Sequence, residues 1–193
     1  MILATDFKCF VKILFSVCLL FFQRASIFAQ NQKVADSLVK IYQKNKLENS
    51  EKLELLRNLS FNEVNNLELS LKYADELIAL SKLEKNYLYL HRGYYQKVNK
   101  NRLIGDLNKA LNDFFKSAEA ASKAKFITGK GVAYMSIADV YSIMGNANNA
   151  EVYYTKSIDL LRKTKDSIAL ASALLNAGDE YSKNKKFNLA LKH

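Results

Sequence analysis

The sequence contains no proline, no tryptophan and only six glycines among 193 residues. At its usual frequency of ~5%, proline would occur about ten times in a chain of this size. β-Sandwiches and barrels turn the chain often, and those turns draw on Gly and Pro. Their scarcity predicts an all-helical chain. Histidine occurs twice, at His91 and His193, and cysteine twice, at Cys9 and Cys18. So few ligands and bases leave no Cys/His zinc set and no obvious base for a nucleophile. Gly129-Lys130-Gly131 lacks the spacing of a phosphate-cradling loop and reads as a linker between units. Asp179 and Glu180 are adjacent, and neighbours on a helix point ~100° apart, so the two carboxylates do not converge. No enzyme, no metal site and no cofactor are expected within these residues. What is present is ordinary for a folded chain: 49% apolar and 25% charged residues, which excludes wholesale disorder, and a length that suits one domain.

Residues 1–29 have the pattern of an export signal. Lys8 and Lys12 supply the positive start, Val11 to Phe22 is apolar apart from Lys12 and Ser16, and Ala29 offers a small residue for cleavage. The alternative is an uncleaved anchor. The uninterrupted apolar run, Ile13 to Phe22, is half of the ~20 residues a spanning helix needs. Lipidation at Cys18 is disfavoured by the bulky Val17 before it. Both cysteines lie in this segment, so the exported part carries no thiol. The expected location is outside the cytoplasm, periplasmic or membrane-anchored.

A shift of 40 residues organises the rest. Ala110-Leu111 aligns with Ala150-Glu151, with Ala190-Leu191 downstream and with Ser70-Leu71 upstream. Four positions on stand Ala74, Phe114 and Tyr154, and three further Leu77, Ser117 and Ser157. The segment before each of these repeats as well: Tyr94, Tyr134 and Leu174; Val98, Ala138 and Gly178; Phe61, Tyr141 and Tyr181, with Asn101 breaking the last series. Gly105 and Gly145 fall at the turn between paired helices. Two helices joined by a short turn cannot bury their apolar stripes alone, and stacking successive pairs makes one continuous core. The reading is a signal peptide (1–29), a lone helix and linker (30–50, the helix near Lys33 to Lys46), and units at 51–90, 91–130 and 131–170 with an incomplete fourth at 171–193. Residues Phe187 to His193 match only the first turns of a second helix, so a fragment of a longer protein is expected. A short protein with a frayed last helix is the alternative.

This pattern resembles the tetratricopeptide repeat. Tyr134, Ile137, Ala138, Tyr141, Gly145, Ala150, Tyr154 and Ser157 form the copy closest to it. The family's period is 34, its Trp is replaced by Tyr or Leu, and its closing Pro is missing. The six extra residues are expected in longer helices and in a linker near Lys125 to Gly131. The first unit is the most degenerate, with Glu54, Arg57 and Asn58 at key positions. The resemblance implies an all-α, TPR-like α-solenoid of antiparallel helix pairs. Gly93-Tyr94-Tyr95-Gln96-Lys97 and Asn176 to Tyr181 further resemble the exported front of Bacteroidetes signalling receptors, in which such repeats precede a membrane span and a cyclase or kinase output.

The family's groove positions map onto Tyr95, Asn99 and Arg102, then Met135, Asp139 and Ser142, then Leu175, Asp179 and Ser182. Polar, aromatic and apolar residues alternate there, which suits an extended peptide or a partner helix. A carboxylate clamp is not expected, because Tyr95 stands where such clamps place Lys. The net charge of +10, with lysines near 97–102 and 183–186, is read mainly as composition rather than as a stripe, so nucleic acid is not an expected partner. A membrane enters only through a signal anchor or a downstream segment. Self-association through the sticky end at Phe187, Leu189 and Leu191 is expected. The function implied is a protein- or peptide-binding module, the sensory part of a longer signalling protein. The alternative is a stand-alone envelope scaffold.

Overall fold

A computed structural model describes residues 32–186, apart from residue 45. The export segment with Cys9, Cys18 and Ala29, and the chain end from Phe187, lie outside the described residues. Within them the structure is helical throughout: α1 (32–44), α2 (Asn49–Asn62), α3 (Leu67–Leu83), α4 (Tyr87–Ile104), α5 (Leu107–Lys123), α6 (Ile127–Ile143), α7 (Ala147–Leu161) and α8 (Ser167–Lys183). Each helix packs on the next from α2 to α8, and first helices of successive pairs also meet, α2 with α4 and α6 with α8. This is a TPR-like α-solenoid.

A chain with no proline and few glycines still needs tight turns, and asparagine and aspartate make them. The side chains of Asn66, Asn86, Asp106, Asn146 and Asp166 each accept the backbone N–H three residues on, at Leu69, Tyr89, Lys109, Asn149 and Ala169. An N-cap of this kind contributes about 1 kcal/mol. Before three of these caps, Asn86, Asp106 and Asn146, the chain reverses in the left-handed region at Lys85 (φ 53°), Gly105 (φ 85°) and Gly145 (φ 73°), and Lys125 (φ 54°) and Lys185 (φ 58°) do the same after α5 and α8. The helix ends close with a six-to-one bond, Asn86 N–H to Ser81 O (2.9 Å), Phe126 to Ala121 (2.9 Å) and Asn146 to Tyr141 (2.9 Å). α2 and α6 are exceptions at their starts, where Glu48 and Phe126 make no side-chain capping bond.

The glycines Gly129 and Gly131 are not in a linker. Both lie inside α6, and the turn before them is three residues long, 124–126. The extra residues of the 40-residue period therefore go into helix length: α4 has 18 residues and α5 and α6 have 17 each. The unit boundaries set at 91, 131 and 171 consequently cut through α4, α6 and α8 rather than through turns. Packing explains the glycines. A Cβ on Gly131 would come within 2.7 Å of Leu161 Cγ, and one on Gly129 within 2.3 Å of the Phe126 ring. The equivalent site in the preceding pair reverses the sizes, with His91 in place of Gly131 and Ala121 in place of Leu161. Each joint is filled once, by whichever helix carries the large side chain.

The repeated serine ties the two helices of a pair together. Ser157 Oγ donates to Gly131 O (2.8 Å), and Ser117 Oγ to His91 O (3.2 Å), both buried. The core itself falls into three clusters: Leu53, Leu56, Leu59, Tyr73 and Leu77 at the front; Val98, Ala110, Phe114, Ile137 and Val140 in the middle; Ala138, Ala150, Tyr154, Ile158 and Tyr181 at the back. Ala110 and Ala150 are fully buried where second helices cross their neighbours.

Candidate functional site

The most elaborate polar arrangement lies on the seam between α6 and α8, with α7 behind it. Asp139 comes from α6, Tyr154 from α7 and Asn176 from α8. Tyr154 Oη donates to Asp139 Oδ1 at 2.7 Å, and Asn176 Nδ2 donates to the same oxygen at 3.1 Å. One turn along, Ser142 donates to Glu180 Oε2, whose other oxygen takes the Asn184 amide at 2.8 Å. Asp179 and Lys183 form an exposed ion pair at the mouth, 2.6 Å apart. Together with Ile143 these groups line a cleft of about 180 Å³.

The electrostatics follow from burial. Desolvation lifts the Asp139 carboxyl above its usual range, while the bonds from Tyr154 and Asn176 and the nearby positive Arg102 pull it back. Burial also raises the Tyr154 phenol, and its bond to Asp139 adds to the rise. Tyr154 therefore stays a donor at neutral pH, and Asp139 Oδ1 accepts from both Tyr154 and Asn176. The hydrogen bonds given to Asp139 and Glu180 come from neutral groups, so the cleft holds more acceptors than cations and presents negative potential inside a basic chain.

The residues predicted from sequence fall into different environments. Asp139, Ser142 and Asp179 come together in this cleft. Met135 faces the same seam but packs on the Ala173–Ala177 cluster of α8. Leu175 stands on α8 with 73% of its surface exposed. Arg102 is exposed on α4, close enough to Asp139 to act on its charge. Asn99 is half-buried. Tyr95 serves the core: its ring lies 5.9 Å from Phe114 and 6.0 Å from His91. Positions 135, 139 and 142 thus face the next first helix, which holds them from outside. Positions 175 and 179 are open because they lie on the last described first helix.

Asn176, Glu180 and Tyr154 were not singled out as site residues in the sequence. Tyr154 was legible only as a repeat position; its hydroxyl joins the cleft because Asp139 stands opposite. A second network was hidden in what looked like decay of the first unit. Glu54 accepts from Arg57 (2.7 Å), Asn58 (3.1 Å) and Tyr89 (2.9 Å), and Arg92 stands 3.7 Å away. It borders a larger hollow of about 580 Å³ between α1 and α2, floored by Leu38, Ile41, Leu47 and Leu55. The lysines of the two basic stretches are largely engaged: Lys97 pairs with Asp75 at 2.6 Å, Lys183 with Asp179, and Lys186 with Glu151.

Among the described residues no group of His, Cys, Asp or Glu is placed to hold a metal ion, and no helix is long and apolar enough to cross a membrane. No family model matches the sequence, and no curated protein does. Solved structures do match. The apo form of RapI superposes with a TM-score of 0.71 at 18% identity, covering 79% of this chain and 57% of that one. A Rap protein complexed with Competence and Sporulation Factor gives 0.70 at 16% identity, covering 82% and 45%. A Podosopora anserina kinesin light chain with nearly identical TPR-like repeats gives 0.65 at 12% identity, covering 85% and 83%. The chain therefore spans about half the length of the two Rap proteins. At these identities the likeness concerns the fold, which is that of TPR-like repeat proteins.

Proposed function

We propose that this chain is a protein- or peptide-binding repeat module, with the α4–α6–α8 face as its recognition surface. The observation that carries the reading is the cleft of Asp139, Asn176 and Glu180, with Leu175 exposed on the same helix α8 that brings Asn176 and Glu180. An acceptor-rich hollow beside an apolar step suits an extended peptide, which brings backbone N–H groups and side chains in alternation. The Rap protein complexed with Competence and Sporulation Factor has the same fold, which adds support by analogy. We further propose that the module is exported and forms the sensory part of a longer signalling protein. The signal pattern of residues 1–29 and the receptor-like segments support this.

The test is selection from a displayed library of random dodecapeptides on the chain, followed by titration of the selected peptides. Arg102→Ala combined with Asp179→Ala alters exposed side chains, so the fold should melt as before while affinity falls about tenfold or more, given ~1.4 kcal/mol per decade. Equal affinity for parent and variant would remove this face from the reading, and a chain that selects no sequence would remove peptide binding itself. For export, the mature N-terminus measured by mass spectrometry should be Gln30. An intact Met1 in a cytosolic fraction would end that part of the proposal.

A further inference from the structure

His91 has no part in the cleft, yet it occupies the joint between the second and third helix pairs. It is 94% buried, on α4. Its Nδ1 lies 2.9 Å from Ser117 Oγ and 3.1 Å from Ser117 O on α5. Its other edge meets α6, where a Cβ on Gly129 would lie 2.7 Å from Nε2. The Phe126 ring, in the turn that joins the two pairs, packs edge-on at 5.6 Å. A single imidazole thus touches all three helices and the turn between them. Elsewhere first helices pack directly on each other, α2 on α4 and α6 on α8. α4 reaches α6 largely through α5 and through this ring.

We propose that His91 is an acid-sensitive latch on this joint. The groups around it offer a proton little compensation: no carboxylate among them faces the ring, and only the Ser117 carbonyl favours the charged form. On its own helix Arg92 is a like charge, held by Glu54 of α2, and Tyr95 is a neutral ring 6.0 Å away. α5 supplies the Ser117 hydroxyl and carbonyl, while its Lys116 and Lys123 are engaged with Asp113 and Glu119. α6 supplies the Gly129 backbone, and its Lys130 turns to Ser122. α3 faces this part of α4 with Leu77 and Ile78. A buried imidazole without a carboxylate beside it is held neutral by desolvation, and Arg92 acts in the same direction, against the lesser pull of the Ser117 carbonyl.

The sign follows. The unfolded or opened chain binds a proton near pH 6.5, and the closed joint binds one only at lower pH. Stability of the joint is therefore intact above about pH 6.5 and is lost as the pH falls from there towards the depressed value, below which the loss levels off. Asp139, on the α6–α8 seam, acts in the opposite sense, because a carboxyl raised by burial stabilises the fold as it takes up its proton. Opening at His91 separates α4–α5 from α6–α7. That parts Arg102 from Asp139, so acid would loosen the proposed recognition face.

The experiment uses the whole chain. The histidine ring signals of His91 and His193 are followed by NMR from pH 8 to pH 4.5, with amide-exchange protection of α4 to α6 measured in parallel. The expected result is a His91 midpoint below 6.5, and a fall in α4–α6 protection of about fivefold or more over the same pH range. His91→Gln, which keeps a donor for Ser117 and cannot titrate, should abolish that fall while α2–α3 is unchanged. A His91 midpoint at or above 6.5 would overturn the proposal, as would an acid-induced fall of the same size in His91→Gln. Should that variant fail to fold, the wild-type titration decides alone: protection that falls outside the pH range of the His91 midpoint refutes the latch.

Discussion

Phe114→Ala is expected to cost about 3–5 kcal/mol, enough to melt the middle of the array. Phe114 is fully buried on α5 and fills the space between Val98 of α4 and Ile137 and Val140 of α6. Its ring also supports Tyr95. Deleting it removes a large buried apolar surface and leaves a hollow that rigid helices cannot close. The position matters as much as the size. In a solenoid each pair contacts only its neighbours, so a gap between the second and third pairs uncouples the two halves. Urea denaturation followed by circular dichroism should show a lower midpoint and a broader, two-step transition. Phe115→Ala, next in the chain but 36% exposed and in edge contact with Tyr153, should cost less, about 1–2 kcal/mol. Similar losses for the two variants would contradict the assignment of Phe114 as the plug between pairs.

A gain is expected from Asn101→Leu. This residue interrupts the aromatic series of Phe61, Tyr141 and Tyr181. It is 96% buried, and its amide Nδ2 has no hydrogen-bond partner. An unsatisfied buried donor costs roughly 1–3 kcal/mol, and an apolar group of similar volume removes that cost without a cavity. The melting temperature should rise by several degrees, as ~1 kcal/mol shifts a domain of this size by about 2–4 °C. Leucine is preferred to tyrosine because the position that faces Tyr141 across the pair, Tyr153, is Asp113 in this unit, and Asp113 is itself buried and paired with Lys116. A lower melting temperature would show that the amide is satisfied in solution and that the polar break is stabilising.

The helical class, the pairing of helices and the order of the units were all legible in the sequence. Each rests on local chemistry or on a repeat that any copy can reveal. A missing proline, a small residue every forty positions and a recurrent serine keep their meaning whatever lies nearby. The turns were legible in part. Gly105 and Gly145 were recognised, but the asparagines and aspartates that cap the helices were not, because a cap differs from any other polar residue only once the helix start is known. Gly129 and Gly131 were misread for the same reason. Glycine marks either a bend or a close approach, and only the packing of Leu161 and Phe126 against α6 decides which.

The cleft was legible only as a register. The forty-residue shift placed Asp139 and Asp179 on equivalent positions, with Ser142 one turn along the same helix face, because stacking by translation keeps equivalent residues on one face. That shift cannot tell an open groove from a seam closed by the next helix, nor that Tyr95 turns into the core beside Phe114. It also cannot pair Asp139 with Asn176, 37 residues away, or lodge His91 between Ser117 and Gly129. Those pairings depend on the distance and rotation between stacked helices, which are set by the sizes of all the side chains at each joint together. The sequence alone determined the repeat and its helical class, and helix pairs that cannot bury their apolar faces alone stack on their neighbours into a solenoid. The tertiary structure decided which polar residues face one another, because that is a property of the gap between helices and not of any one helix.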